Sequence, residues 1–287
     1  MNGHGRGRRM PDLELSWRAA AIVAGSLAVA VPSMRRSRYQ RFAAAAPYVK
    51  ESALILGLFT LWQYAGSFGF IGPDGALARA RWIWHAERVL HLPSETSVQQ
   101  VFLPHPLLIE GFNYYYASLH FPVLVTTMIW LFVRHRDRYA AARTTLVALT
   151  AACLVVQLVP VAPPRMLPGT GLVDTAIKYG QSVYGTTTGF NPDQLSAMPS
   201  VHVGWAVLVA ILIIGATRSR WRWLALAYPA ATTLIVAVTA NHFWADGIVA
   251  TFILVVVLAV QSLVTKLRPV TPQFSPIPEK VDVASSR

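Results

Sequence analysis

Residues 247–264 read Gly-Ile-Val-Ala-Thr-Phe-Ile-Leu-Val-Val-Val-Leu-Ala-Val-Gln-Ser-Leu-Val. No position in the run carries a charge, and its length is close to the ~20 residues a helix needs to cross the hydrocarbon of a bilayer. Outward from it, five more segments approach that length: 52–71, 112–133, 140–161, 202–217 and 223–240. Composition agrees, because 54% of the residues are hydrophobic and 13% charged, with a mean hydropathy of +0.43, outside the range of an ordinary soluble domain. Lipid offers no partner to backbone N–H and C=O groups, so spans are helices unless they alternate as barrel strands do, and these do not. The expected fold is all-α. It is a multi-span membrane protein with a six-helix transmembrane bundle, an extra N-terminal apolar helix and an interfacial amphipathic helix.

The net charge of +12 would suggest nucleic acid in a soluble protein, but here the basic residues cluster between apolar runs. Arg35, Arg36, Arg38 and Arg41 precede the first span, Arg134, Arg136, Arg138 and Arg143 follow the second, Arg218, Arg220 and Arg222 follow the fourth, and Lys266 and Arg268 follow the sixth. They read as topology signals and anionic-lipid contacts, and no nucleic-acid partner is expected. The positive-inside rule makes those four segments cytoplasmic. The loops 72–111 and 162–201 and the turn 241–246 then share the opposite face. The expected location is a multi-pass protein of the plasma membrane with its chemistry on the extracytoplasmic side.

Three regions follow from this pattern: a basic N-terminus with an accessory apolar helix (1–47), the six-span domain (48–268) and a Pro-rich cytoplasmic tail (269–287) expected to be disordered. The stretch 19–31 follows Arg6, Arg8 and Arg9 and contains Ala28-Val29-Ala30, which also fits a signal peptide, a seventh span or a helix in the interface. The dense cluster Arg35–Arg41 argues against its export, so we read it as an uncleaved accessory helix. Trp82, Ile83, Ala86, Val89 and Leu90 fall on one helical face, with Arg81, His85 and Arg88 on another, as in an amphipathic surface helix. The single cysteine, Cys153, lies within an apolar run and has no intrachain partner for a disulfide.

Polar residues at the ends of spans are the chemical signal. Ala162-Pro163-Pro164-Arg165 presents an arginine from a stiff, non-helical loop. Ala197-Met198-Pro199-Ser200-Val201-His202 reads as a helix start, with Ser200 as N-cap and His202 in the first turn, a place that also favours an anion. Asn241-His242-Phe243-Trp244-Ala245-Asp246 sets a histidine and an aspartate one helical turn apart. Each segment alone has a plain reading as a cap or an interfacial contact. Together, two imidazoles, a carboxylate and a guanidinium are the parts needed to move a phosphoryl group without a metal. Asn113, Tyr116 and His120 share one helical face near the end of the second span, as substrate contacts or as a satisfied buried polar cluster.

In order and spacing, Arg165, Pro199-Ser200-Val201-His202 and His242-x-x-x-Asp246 resemble the three signature motifs of the type 2 phosphatidic acid phosphatase superfamily, over about 52–264. The chain departs from the phosphatase pattern at three positions: Leu158 replaces a lysine, Val201 a glycine and Val236 an arginine. With Ala162-Pro163-Pro164 and Ala197-Met198-Pro199-Ser200, these departures make it more similar to the inositol phosphorylceramide synthase branch, whose members transfer a phospho-alcohol head group between lipids. The resemblance implies that His242 is the nucleophile forming a phosphohistidine, oriented by Asp246. It implies that His202 protonates the leaving oxygen and later deprotonates the acceptor, that Arg165 binds the phosphoryl oxygens and that Ser200 adds a hydrogen bond. Tyr116 and His120 also have counterparts in that branch.

The expected substrate is a membrane lipid carrying a phosphate or phosphodiester, with an alcohol such as inositol as a possible acceptor and neither cofactor nor metal. A lipid phosphate phosphatase is the alternative. A transporter fits less well, because the ionisable groups sit at span ends and no repeat is visible. Nor does a zinc hydrolase, because no closely spaced ligand pair is present.

Overall fold

The structure, a computed structural model, describes residues 17–66, 74–181 and 195–267. Arg6, Arg8, Arg9, Arg268, the tail 269–287 and the end of the 52–71 run lie outside the described residues. Helices follow one another as α1 (Trp17–Arg35), α2 (Gln40–Gly66), α3 (Ala76–Val89), α4 (Glu95–Phe102), α5 (Pro106–Ser118), α6 (His120–Arg134), α7 (Arg136–Gln157), α8 (Thr175–Lys178), α9 (Val201–Ala216), α10 (Ala227–Val238) and α11 (Trp244–Leu267). Short 3-10 turns cover Pro164–Met166 and Arg220–Leu226. Among the described residues the only β pairing is the isolated parallel bridge between Val161 and Ser196.

Five helices are long and apolar enough to cross a membrane: α1, α2, α7, the Arg220–Val238 segment and α11. The pair α5 and α6 passes the same test as one span bent by 50°. α9 is shorter, with 16 residues, or ~24 Å at the helical rise against a hydrocarbon core of ~30 Å. This is an all-α, multi-pass membrane protein. The outward apolar face of α11, with Ile248, Phe252, Val255 and Val260 exposed in the isolated chain, is a surface suited to lipid.

α9 is the central element. It packs on α6, α7, α10 and α11 and buries Val203, Gly204, Ala206, Leu208, Val209 and Ala210. Small residues permit the closest of these approaches. A Cβ on Gly247 of α11 would come within 3.2 Å of Val203 Cγ1. Polar groups tie the helices laterally: Arg143 of α7 meets Glu51 of α2 at 2.7 Å, and Thr145 of α7 donates to Gln261 of α11 at 2.6 Å.

At one end of the bundle the loops interlock through their backbones. Ala162 N–H donates to Ala76 O, Arg165 N–H to Ala240 O and Ser200 N–H to Asp246 O. Beneath them a small core gathers Ala76, Ala80, Ile83, Val161, Ala162, Leu167, Leu195, Ala197 and Phe243. All three chemical segments meet there.

The structure corrects the sequence reading in two places and divides the expected apolar face of α3 in a third. The 112–133 run is not one continuous helix: it breaks at Leu119, where Pro122 in the first turn of α6 lacks an N–H for Ser118 O and crowds that carbonyl. α2 starts at Gln40, ahead of the expected 52, and runs through the 47/48 boundary. On α3 the packed face is Ala76, Ala80, Ile83 and Glu87, whereas Trp82, Val89 and Leu90 are exposed. The helix thus turns Trp82, Val89 and the following Leu90 outward, while Ile83 packs with the small residues onto the protein and Leu77 and Trp84 lie partly buried against the same core.

Candidate active site

The geometry of His242 begins with the turn before it. α10 closes in a Schellman arrangement, with Ala240 N–H on Ala237 O and Asn241 N–H on Val236 O, and Ala240 takes the left-handed conformation at φ 54. The chain reverses there and α11 starts with Trp244. Phe243 N–H donates to Asp246 Oδ2 at 2.8 Å, so the carboxylate caps the start of its own helix.

His242 is buried, and its Nδ1 lies 2.7 Å from Ala197 O and 3.4 Å from Asp246 Oδ2. A carbonyl oxygen only accepts, so Nδ1 carries the proton and the neutral ring keeps its lone pair on Nε2. Among the described residues that Nε2 is buried with no hydrogen-bond partner, as is Asp246 Oδ1. The expected His242–Asp246 pairing is therefore shared with a backbone oxygen from the second segment, which meets the same Nδ1.

Ser200 caps α9 through its side chain, which accepts from Val203 N–H at 3.4 Å. It is fully buried. His202 follows in the first turn, and its ring centroid lies 5.6 Å from that of His242, 4.5 Å from Tyr116 and 4.7 Å from His120. The three imidazoles and Tyr116 form one aromatic cluster.

Arg165 sits on the Pro164–Met166 turn with its side chain 6% exposed and Nε 3.1 Å from Asp174 Oδ2. Its Nη1 donates to Asn241 Oδ1. The guanidinium is thus held by the residue next to His242 and by the acid that caps α8. Asp174 and Asn241 were not assigned roles from sequence. Asn241 stands inside the quoted segment, and Asp174 carries the N-cap signal of an Asp before a helix start.

The remaining candidates divide. Asn113 is fully engaged, with Nδ2 donating to Gln181 Oε1 and Oδ1 accepting from Thr175 Oγ1, both at 2.9 Å. Tyr116 faces both histidine rings, at 4.5 and 6.1 Å. His120 Nδ1 lies 3.2 Å from Tyr228 Oη, and among the described residues its Nε2 is buried without a hydrogen-bond partner. Among the described residues no group of three or more His, Cys, Asp or Glu side chains is arranged to hold a metal ion.

Of the positions that depart from the phosphatase pattern, Leu158 caps α7 and is 37% exposed, and Val201 opens α9. Val236 is buried at 2% exposure and gives its carbonyl to the amides of Asn241 and His242. An arginine at 236 would have to enter that packed turn.

A family model for the PAP2 superfamily matches residues 81–260, and the chain belongs to that superfamily. No curated protein and no solved structure matches it. Membership supports phosphatase-type or phosphotransferase-type chemistry on a lipid phosphate in a membrane.

Proposed function

We propose that this membrane protein transfers a phosphoryl or phospho-head group from a lipid-linked phosphate through a phosphohistidine on His242, in the manner of inositol phosphorylceramide synthase-type enzymes. The observation that carries the reading is the His242 ring, with its Nδ1 proton engaged by Ala197 O and Asp246 and its Nε2 lone pair unpartnered among the described residues.

In the first half-reaction Nε2 attacks phosphorus, a P–N bond forms and the bond to the leaving oxygen breaks. His202, protonated, gives its proton to that oxygen. The phosphorylated imidazole carries positive charge, which Asp246 offsets from 3.4 Å. In the second half-reaction His202 takes the proton of an acceptor O–H, the oxygen attacks phosphorus and the P–N bond breaks. Arg165, oriented by Asp174 and Asn241, binds the phosphoryl oxygens. Ser200 and the amides opening α9 supply further donors. Tyr116 and His120 pack against the His202 ring, which is where an acceptor hydroxyl has to arrive in this reading.

Water and an alcohol meet the same phosphohistidine, so lipid phosphate hydrolysis is the alternative outcome of this chemistry. Purified protein incubated with labelled phosphatidic acid, polyprenyl phosphate or phosphoinositide, with and without inositol or a lipid alcohol, separates the two. Label in a new lipid that depends on the alcohol supports transfer, whereas free phosphate regardless of alcohol supports a phosphatase. Label movement without chemical change would return the chain to the transporter class. Restoration of EDTA-inactivated turnover by zinc would overturn the metal-free route.

A further inference from the structure

Behind the candidate site the chain buries two carboxyl groups that the phosphoryl chemistry does not use. Glu87, in the last turn of α3, and Glu95, which opens α4, are 1% and 0% exposed. Glu87 Oε1 accepts from Ala245 N–H at 2.7 Å, in the first turn of α11, next to Asp246. The same corner holds that turn a second time, because Trp244 Nε1 donates to Pro93 O at 2.9 Å. Arg88 Nη2 reaches Glu95 Oε2 at 3.1 Å, Pro93 O at 2.9 Å and Glu87 Oε2 at 3.8 Å. The two carboxyl groups also interact with each other, and among the described residues both Glu87 Oε2 and Glu95 Oε1 are buried without a donor from any other group.

Charge makes this arrangement unstable as drawn with two carboxylates. Two anions and one guanidinium leave a net negative charge in a buried site, with the carboxyl of Asp246 adding further repulsion on Glu87. One retained proton removes that charge and supplies the donor that the two orphaned oxygens lack.

We propose that Glu87 and Glu95 share one proton and act as positioning residues, fixing the first turn of α11 so that Asp246 and His242 keep their mutual geometry. The role in catalysis rests on the reading of His242 and Asp246 given above. The groups facing the pair are Arg88 of α3 and Asp246 of α11. The Glu87 carboxyl is pushed up from 4.5 to about 9, first by burial and then by the hydrogen bond with Glu95, against the opposing pull of the Ala245 amide. Since the folded-state value lies above the unfolded one, the stabilisation is complete below about 4.5 and declines as pH rises through about 9. Above that the pair carries its second charge, and repulsion between the two carboxylates, which the Ala245 amide only partly offsets, drives Glu87 away from Glu95 and shifts its hold on the first turn of α11.

The test compares full-length wild type, Glu87→Gln, Glu95→Gln and Glu87→Ala in lipid vesicles. Amide exchange across residues 243–247 and initial rates on labelled phosphatidic acid or the best lipid phosphate donor are followed from about pH 6 to about pH 10. Wild type is expected to lose protection of this turn by about tenfold or more as pH passes about 9, with kcat falling on the same limb and KM unchanged. Either Gln variant retains an amide that pairs with the remaining carboxylate, so protection and kcat at neutral pH survive and the alkaline limb disappears. Glu87→Ala is expected to lose both at every pH. An alkaline limb of unchanged midpoint in both Gln variants would overturn the proposal, as would wild-type kcat in Glu87→Ala. If protection behaves as expected while the wild type turns over no lipid phosphate, the acid pair stands and the phosphoryl-transfer reading is what has failed.

Discussion

At His242 a backbone oxygen decides which nitrogen can react. Ala197 O fixes the proton on Nδ1, leaving Nε2 as the only lone pair of the neutral ring. His242→Ala is therefore expected to lose about three orders of magnitude or more in kcat on any lipid phosphate, measured by product release, with no phosphoenzyme trapped on acid quench. His202→Ala should lose about 10²–10⁴-fold on a natural donor, yet recover phosphoenzyme formation with an aryl phosphate whose leaving group needs no proton. Equal defects on both donors would remove His202 from the acid role. Asp174→Ala frees Arg165 Nε from the ion pair seen at 3.1 Å. We expect KM to rise by about tenfold with kcat less affected, since it orients a binding group and touches no reacting atom. Arg165, His202, His242 and Asp246 were legible because their types and spacing are rare at the ends of apolar runs. Asp174, Glu87 and Glu95 were not, because their meaning lies in partners: Glu87 meets an amide 158 positions away, and sequence spacing carries no trace of that contact.

Helix α3 shows why faces were harder to read than helices. In water, large apolar residues mark the buried stripe, but a helix with lipid on one side can turn Trp82, Val89 and Leu90 outward at little cost. Its inner face is chosen by fit instead, and Ala76, Ala80 and Ile83 let it close on the loops that hold the site. The same rule governs α9 and α11. Gly247 follows Asp246 directly and faces Val203, which follows His202, so the bare backbone there sets the spacing between the two catalytic candidates. A methyl at 247 would meet Val203 Cγ1 at 3.2 Å, a gap that a β-branched side chain in a packed seam closes only by moving the helix. Gly247→Ala is expected to lower the melting temperature by the equivalent of about 1 kcal/mol and to reduce kcat. Adding Val203→Ala should restore part of both, a coupling that a double-mutant cycle reads directly. Additive losses would show that the close approach is not what sets the geometry. The break at Leu119 went unread although Pro122 marks it, because a proline within an apolar run does not by itself give a bend of 50°.

For the whole molecule the decisive question is which side of the membrane the candidate site faces. The site end gathers α3, α4, the Pro164–Met166 turn, α8 and the 241–246 turn, while the opposite ends carry Arg134 and Arg136 and the Arg220–Leu226 turn with exposed Trp221 and Trp223. Arg143, counted as a loop cation from sequence, lies inside α7 and pairs with Glu51. The remaining arginines still favour placing their end in the cytoplasm, with the tryptophans at the lipid interface. An outward site would face no cytosolic nucleotide, so the bond energy for transfer has to come from the lipid donor itself. That fits a reaction that exchanges one phosphate ester for another at little net cost. The native chain offers a clean test, because its single cysteine, Cys153, is fully buried and gives no background to a membrane-impermeant maleimide. Ile177 on α8 and Trp221 on the far turn are 68% and 63% exposed. Ile177→Cys is expected to react on intact cells, and Trp221→Cys only after permeabilisation. The reverse pattern would put the histidines in the cytoplasm and open the site to soluble phosphate donors.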